Sequence, residues 1–241
     1  MNLIIFLIIL YTVQMILLLK FELSSTPLAN GKSLNDLLLT GPKLQADIST
    51  LLLRFRLHQF VFTADIRQMY RQILISPEQR DYQRIVWRFS KREPLQYYRL
   101  NTVTYGVSSA PYLALRTLHQ LASDDGLRFP TARQVLLNEI YVDDILTGCS
   151  SESEALELRK QVQDLLMAGG FELRKWATNH LPLLDGISSD HRRESSSIDP
   201  LLLDREPSLK ILVLGWNPAS DHFFYSVRLN STTVTKRNVL S

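Results

Sequence analysis

Apolar residues recur at helical spacing in several stretches of the chain. In residues 39–58 the apolar positions predict a helix that Thr40 or Gly41 caps, with Pro42 in its first turn. A second helix opens at Ser108, Ser109 and Pro111, and a short one follows Pro130. The clearest helix covers residues 150–170, where Ser151 and Glu154 form a capping box and a Gly pair ends the helix. Each of the three longer helices has an apolar stripe: Leu44, Ile48, Leu51, Leu52 and Phe55 in the first, Tyr112, Leu115, Leu118 and Ala122 in the second, and Leu158, Val162, Leu165 and Leu166 in the third.

Shorter apolar runs bounded by turn residues predict strands between these helices. "FVFTADI" at 60–66 is a strand that ends in a carboxylate, and residues 82–89 and 95–103 form two strands joined by "SKREP". "NEIYVDDILTG" at 138–148 has the pattern of a hairpin, "FELRKW" at 171–176 resumes as a strand, and residues 209–227 form a final hairpin that turns at "NPASD". This order of strands, hairpins and helices predicts an α+β domain.

Two segments stand outside this pattern and set the predicted domain boundaries. Residues 1–19 carry no charge before Lys20, and a helix of that length spans roughly 30 Å, the hydrocarbon thickness of a bilayer. Residues 1–20 are therefore either a membrane anchor, or a buried segment or a misassigned gene start. A signal peptide is disfavoured, because this segment shows no basic region and no cleavage site. A polar linker is predicted at 185–207, which leaves a main unit at 21–184 and a terminal hairpin within 208–241.

Composition narrows the function classes. Of the 241 residues, 45% are hydrophobic, which is enough for a packed core. The net charge of +3 and the pI near 9.0 permit a nucleic-acid partner without requiring one. Cys149 is the only cysteine, so an intrachain disulfide is excluded, and five scattered histidines do not suggest a zinc site.

The aspartates at 143 and 144 are the first candidates for chemistry. Asp143 and Asp144 stand between apolar runs, where uncompensated carboxylates repel and lose hydration. A divalent cation removes that cost, and Asp65 at the end of a separate strand offers a third carboxylate for a two-metal site. The alternatives are a helix cap for Asp65 and a solvated loop, which is the natural interpretation of the pair Asp124–Asp125.

Several motifs, in order and spacing, resemble those of reverse transcriptases. "FTADIRQMYRQI" at 62–73, "YGVSSAP" at 105–111, "YVDD" at 141–144, "GGFELRKW" at 169–176 and "LGWNP" at 214–218 are similar to successive motifs of that family's palm. The detailed sequences of "SLNDLLLTGPKLQ", "YRLNTVTYGVSSAPYLA" and "GGFELRKWATN" resemble those of the BEL/Pao group of long-terminal-repeat retrotransposons. The resemblance covers residues 21–241.

The resemblance implies a fold, an activity and metal ligands. The fold would be a palm, a small antiparallel sheet backed by helices, with partial fingers and no thumb. The activity would be that of an RNA-directed DNA polymerase using two Mg²⁺ ions, with Mn²⁺ as an alternative. Asp65 and Asp143 would ligate both ions, Asp144 would be a looser third carboxylate, and the backbone carbonyl of Ile66 would face a metal.

The same resemblance implies a nucleotide site and a primer site. Tyr70 would lie under the sugar and exclude a 2′-hydroxyl, unless it is a core aromatic beside Met69. Tyr105 and Gly106 would face the nucleotide. Lys175 would face the triphosphate or protonate pyrophosphate, unless it is a solvated surface lysine. A strand at Leu214, Gly215 and Trp216 would grip the primer, unless it is an ordinary packed hairpin.

The implied partners are an RNA or DNA template with a DNA primer and deoxynucleoside triphosphates. Family resemblance implies a cytoplasmic particle, and the apolar leader implies a membrane if it is a real anchor. The leader stands where the first part of the fingers is expected, and the chain stops before a thumb. Two other hypotheses therefore stay open: an inactive remnant that retains nucleic-acid binding, and a membrane-anchored fragment.

Overall fold

A four-stranded antiparallel sheet organises the part of the chain that is described, residues 31–193, 209–211 and 214–224 of a computed structural model. The elements in chain order are α1 (Leu34–Leu37), α2 (Ile48–Arg56), β1 (Phe60–Ile66), α3 (Met69–Gln72), β2 (Arg84–Trp87), β3 (Gln96–Arg99), α4 (Ala110–Asp124), α5 (Pro130–Asn138), β4 (Ile140–Tyr141), β5 (Asp144–Cys149), α6 (Glu152–Ala168), β6 (Leu173–Thr178), β7 (Leu209–Ile211), β8 (Leu214–Asn217) and β9 (His222–Phe224), with 3₁₀ turns at Pro77–Gln83, Leu181–Leu184 and Ser189–His191. The strands of the sheet lie in the order β4-β5-β1-β6, and the two central strands, β5 and β1, pair along six residues each.

Helices α4, α5 and α6 cover one face of the sheet and form the main core. Phe62, Ala64 and Ile66 of β1 alternate along the strand and are buried in the same cluster as Leu118 of α4 and Leu165 of α6. Truncation of such a fully buried leucine to alanine typically costs about 2–5 kcal/mol. This layer confirms the predicted α+β palm, a small antiparallel sheet backed by helices.

Among the described residues, only one end of the sheet's opposite face is covered. Phe55 of α2 and Trp216 of β8 pack edge to face, with ring centroids 5.1 Å apart, over Val61, Leu146 and Ala177. Because side chains alternate along β1, Asp65 lies on this same face, four residues beyond Val61. The hydrophobic cover ends before it reaches the carboxylate, which leaves that end of the face for chemistry.

The predicted helices over residues 108–122 and 150–170 and the short helix after Pro130 are confirmed, but the start predicted for α2 is wrong. The helix begins at Ile48 rather than near Thr40. The preceding residues are non-helical because Gln45 reaches across to the β4–β5 hairpin. Its side-chain amide donates to the carbonyl oxygen of Ile140 at 2.8 Å and accepts from the backbone N–H of Val142 at 2.9 Å.

The first residues of the predicted linker are packed against the sheet. Ile187 is buried, Arg192 donates to the carbonyl oxygens of Leu184 and Ile187, and the backbone N–H of Arg193 donates to Trp176. The linker's remaining residues, 194–207, lie outside the described part of the chain, so the domain division stays a prediction.

At the C-terminal side, β8 and β9 form the predicted hairpin, to which β7 adds a third strand. The predicted apolar leader, residues 1–19, lies outside the described residues. Within residues 31–193, 209–211 and 214–224, no helix is both long and apolar enough to cross a membrane.

Candidate active site

The β4–β5 hairpin presents its two aspartates through a tight and strained turn. Tyr141 pairs with Asp144, so Val142 and Asp143 are the two turn residues. Val142 has a φ of +55°, a left-handed conformation that is unfavourable for a β-branched residue and costs about 1–3 kcal/mol. Two hydrogen bonds hold the turn in place: one from the Val142 N–H to the side-chain oxygen of Gln45, and another from the Ile66 N–H to the Asp143 carbonyl oxygen, at 2.7 Å.

The structure places the three predicted aspartates at neighbouring positions at one end of the sheet. Asp65 lies directly opposite Asp144 on neighbouring antiparallel strands, so both side chains project from the same face of the sheet. Asp143 adjoins Asp144 in the turn. By contrast, Asp124 and Asp125 lie at the C-terminal end of α4, where they bind Gln120 and Arg128.

Electrostatics show that this cluster carries more negative charge than its surroundings offset. Burial, and then the neighbouring carboxylate of Asp65, raise the pKa of Asp143. Burial, Asp143 and Asp65 together raise the pKa of Asp144 from 3.8 to about 6, although Arg193 and Lys175 act in the opposite direction. Bound cations would relieve this repulsion.

The donor set fits a magnesium site that substrate completes. Among the described residues, no three carboxylate, histidine or cysteine side chains converge closely enough to make a complete metal cage. Mg²⁺ is usually held by one or two carboxylates together with substrate phosphates and water. Hard oxygen donors on two adjoining strand ends match that mode of binding.

Lys175 reaches the cluster through an irregularity in β6. The pairs Thr63–Ala177 and Asp65–Arg174 enclose one extra residue on β6, which is a β-bulge. Lys175 in this bulge has a φ of +53°, and its Nζ lies 2.8 Å from Oδ2 of Asp65. The lysine therefore contacts an aspartate of the cluster while its side chain remains 58% exposed, so it is more than an isolated surface lysine.

A cluster of basic side chains that the sequence did not reveal borders the carboxylates. Glu172 accepts from Arg67 at 2.6 Å and from Arg174 at 3.0 Å, and Nε2 of His191 lies 3.2 Å from it. The hydrogen bonds from Arg67 and Arg174 lower the pKa of Glu172. Both arginines line an open cleft of about 450 Å³ that also contains Asp65, Asp143, Tyr105 and Lys175. Arg67 and Arg174 adjoin motif residues in sequence, but only the tertiary structure brings them to one glutamate.

Two tyrosines form an aromatic wall beside Asp143. The rings of Tyr70 and Tyr105 lie 4.5 Å apart between centroids. Burial, and then the Asp143 carboxylate, raise the pKa of both phenols. Tyr105 lines the same cleft as Asp143, so its ring and the Tyr70 ring packed against it border the cluster. Tyr70 is only 7% exposed and belongs to the main core, so it is both a packed aromatic and a neighbour of the site.

The loop that carries Tyr105 is fixed by Asn35 of α1. The Asn35 side chain donates to the carbonyl oxygen of Gly106 and accepts from the backbone N–H of Ser108, both at 2.9 Å. Gly106 has a φ of +84°, which a residue with a side chain rarely adopts. This glycine therefore has a conformational reason for its place, and its contact with nucleotide stays a prediction.

Ile66, Gly215 and Trp216 lie in well-packed surroundings. The Ile66 side chain is fully buried, and the role of its carbonyl stays a prediction. Trp216 is also fully buried, and its Nε1 donates to Asp221 at 2.9 Å. At Gly215 an added Cβ would clash with the Phe224 ring, so packing explains the glycine. Primer contact by Leu214, Gly215 and Trp216 stays a prediction.

The raised pKa of Asp144 predicts how stability depends on pH in the absence of metal. Because the folded chain holds this proton more tightly than the unfolded chain, the free energy of unfolding should fall as pH rises from about 4 to about 6. A shift of this size corresponds to at most about 3 kcal/mol. Urea unfolding in EDTA at several pH values measures it, and Asp144→Asn should flatten the profile. An unchanged profile in the variant would contradict this assignment.

The chain is similar in sequence and in fold to known proteins. Residues 18–181 match the family described as reverse transcriptase (RNA-dependent DNA polymerase). No curated protein matches the sequence. A foamy viral protease-reverse transcriptase in complex with RNA/DNA hybrid has a TM-score of 0.52 at 14% identity, over 80% of this chain and 21% of that one. A foamy viral protease-reverse transcriptase dRH in complex with double-stranded DNA has a TM-score of 0.50 at 16% identity, over 80% and 28%.

At these identities the structural likeness concerns the fold, and the chain spans only 21% and 28% of the two proteins that share it. The family match, by contrast, covers well over half of this chain and includes Asp65, Tyr105, Asp143, Asp144 and Lys175. The chain belongs to the reverse transcriptase (RNA-dependent DNA polymerase) family.

Proposed function

We propose that this chain is the polymerase domain of a retrotransposon of the BEL/Pao type and catalyses template-directed transfer of deoxynucleotides. The observation that carries the proposal is the cross-strand pair Asp65–Asp144 with Asp143 in the adjoining turn. A pair of like charges facing each other destabilises a sheet. Its position at the uncovered end of the sheet is therefore better explained by cation binding than by stability.

The residues around the cluster have separate parts in the proposed reaction. Asp65 and Asp143 would hold two Mg²⁺ ions, or Mn²⁺, with Asp144 as a looser ligand; the ions, when bound, stabilise the attacking and leaving oxygens. Arg67 and Arg174 would offer their remaining N–H donors to the triphosphate. In most phosphoryl transfers such positioning and electrostatics provide nearly all of the catalysis.

Lys175 and the tyrosines complete the site. Nζ of Lys175 would pass a proton to the departing pyrophosphate, and its 2.8 Å contact with Asp65 supports that position. Tyr70 would lie beneath the sugar and Tyr105 beside it, since Tyr105 lines the cleft that contains Asp143 and Tyr70 packs against Tyr105. The strand at 214–217 would contact the primer.

The partners are inferred by analogy with the proteins that share the fold. Those foamy viral proteins are in complex with double-stranded DNA and with an RNA/DNA hybrid. By analogy, the partners of this chain are a primed RNA or DNA template and deoxynucleoside triphosphates. The assignment to the BEL/Pao group rests on the amino-acid sequences of the motifs around Ser33, Tyr105 and Lys175.

Primer extension tests the proposal. A labelled DNA primer on an RNA template is incubated with the chain, all four deoxynucleoside triphosphates and Mg²⁺ or Mn²⁺. The chain is expected to extend the primer. Asp65→Asn should abolish this extension, and Asp124→Asn should leave it unchanged. The control is matched because Asp124 also belongs to an aspartate pair but lies away from the site. Duplex binding without extension under both metals would overturn the proposal in favour of an inactive nucleic-acid-binding remnant.

A further inference from the structure

The β2–β3 hairpin exposes an unusual amount of apolar surface. In the part of the chain that is described, its two strands pair only with each other. Tyr97 is 74% exposed, Phe89 67% and Val86 48%. Exposed aromatic residues grouped on one small element generally mark a contact surface rather than chance exposure.

The same hairpin is the most basic part of the chain. Between residues 80 and 99 there are six basic and two acidic side chains, a net charge of +4, whereas the whole chain carries only +3. The rest of the protein is therefore close to neutral. The basic residues are Arg80, Arg84, Arg88, Lys91, Arg92 and Arg99.

Register places an aromatic ring and two guanidinium groups side by side on the outer face. Val86 lies opposite Tyr97, and Arg84 lies opposite Arg99 one pair further along the same face. Directly opposed like charges destabilise a sheet, and Asp81 offsets this by contacting both arginines, at 3.0 Å and 3.5 Å. Two arginines that lie side by side on an exposed face offer positive charge to an anionic ligand.

We propose that this outer face binds single-stranded nucleic acid, with a base stacked on Tyr97 and phosphates held by Arg84 and Arg99. Alternating aromatic and basic side chains are the usual means of binding a single strand without sequence preference. A protein partner fits less well, because interfaces with nucleic acid are much more positively charged than interfaces between proteins, and this hairpin carries a net charge of +4. The inference rests on the proposed function, in which this strand is the unpaired template outside the active-site cleft.

Binding of labelled oligonucleotides in EDTA tests the proposal without requiring catalysis. Fluorescence anisotropy is measured with a 20-nucleotide oligothymidine, with its RNA counterpart and with a duplex of equal length. Tyr97→Ala should weaken single-strand binding about tenfold, whereas Tyr97→Phe, which keeps the ring, should not. Arg99→Gln should lower the slope of log affinity against log salt by about 0.7, whereas Arg128→Gln, an exposed arginine paired with Asp125, should leave it unchanged.

The outcomes separate this inference from the proposed polymerase activity. If primer extension fails but single-strand binding still depends on Tyr97, the surface assignment stands alone. Asp124→Asn, at a residue that binds Gln120 away from both surfaces, should bind the oligonucleotides as the unchanged chain does. Equal affinity of the unchanged chain and Tyr97→Ala would overturn the proposal. So would a concentration-dependent dimer that Tyr97→Ala abolishes, since the face would then be an interface between two copies.

Discussion

Replacing Asp143 with asparagine is expected to abolish nucleotide transfer, by about 10³-fold or more, and to stabilise the fold by about 1 kcal/mol. Both effects have one cause. Burial and the Asp65 carboxylate raise the pKa of Asp143, so the charge that would hold the metal ions opposes folding when no ion is bound. Asparagine keeps the size of the side chain and removes the charge.

Two measurements check this prediction on the same preparations. Single-turnover primer extension gives the loss of activity, and urea unfolding in EDTA at pH 7 gives the change in stability. Asp124→Asn, on α4, should change neither quantity by much. A variant that loses both activity and more than about 1 kcal/mol of stability would instead mark Asp143 as a structural residue of the turn.

The sequence predicted the elements of the site well because their signals are local. The strand with Asp65 at its end and the hairpin around Asp143 and Asp144 are short apolar runs bounded by polar residues. Once both are strands of one sheet, only the pairing register remains to bring the carboxylates together. The structure supplies that register, with Asp65 opposite Asp144.

The features that sequence analysis missed depend on distant contacts. Gln45 binds the hairpin at Ile140 and Val142, about a hundred residues further along the chain, and this contact replaces the predicted first turns of α2. Glu172 gathers Arg67 across a similar distance in sequence. No local pattern signals either contact, because a glutamine and a glutamate have many solvated positions available to them.

Strained backbone conformations also cluster at the site, and no sequence pattern predicted them. Of the four residues other than glycine with positive φ in the described ranges, Gln68, Val142 and Lys175 belong to the three segments that meet at the carboxylates. Each such residue costs about 1–3 kcal/mol and persists only where its surroundings fix it. The strained turn and the strained bulge cost stability, but they fix the positions of Asp143 and Lys175.

Shortening Tyr70 is expected to reduce the preference for deoxynucleotides over ribonucleotides by about 10²-fold. Tyr70 follows Asp65 by five residues, and its ring packs against Tyr105, which lines the same cleft as Asp143, where the sugar of a bound nucleotide would lie. Exclusion by volume is the simplest way to reject a 2′-hydroxyl in a site without a dedicated hydrogen-bond partner for the sugar. Removing ring volume should therefore admit the larger sugar.

The buried position of Tyr70 decides which substitutions test this prediction. Because the ring is 7% exposed and packs against Tyr105, Tyr70→Ala would leave a cavity and cost about 3–5 kcal/mol. Tyr70→Val leaves a smaller cavity, and Tyr70→Phe keeps the ring and removes only the hydroxyl. Single-turnover incorporation of deoxy- and ribonucleotides should show relaxed selectivity for Val and unchanged selectivity for Phe. If Tyr70→Val incorporates nucleotides with the sugar preference of the unchanged chain, Tyr70 serves only to pack the core beside Met69.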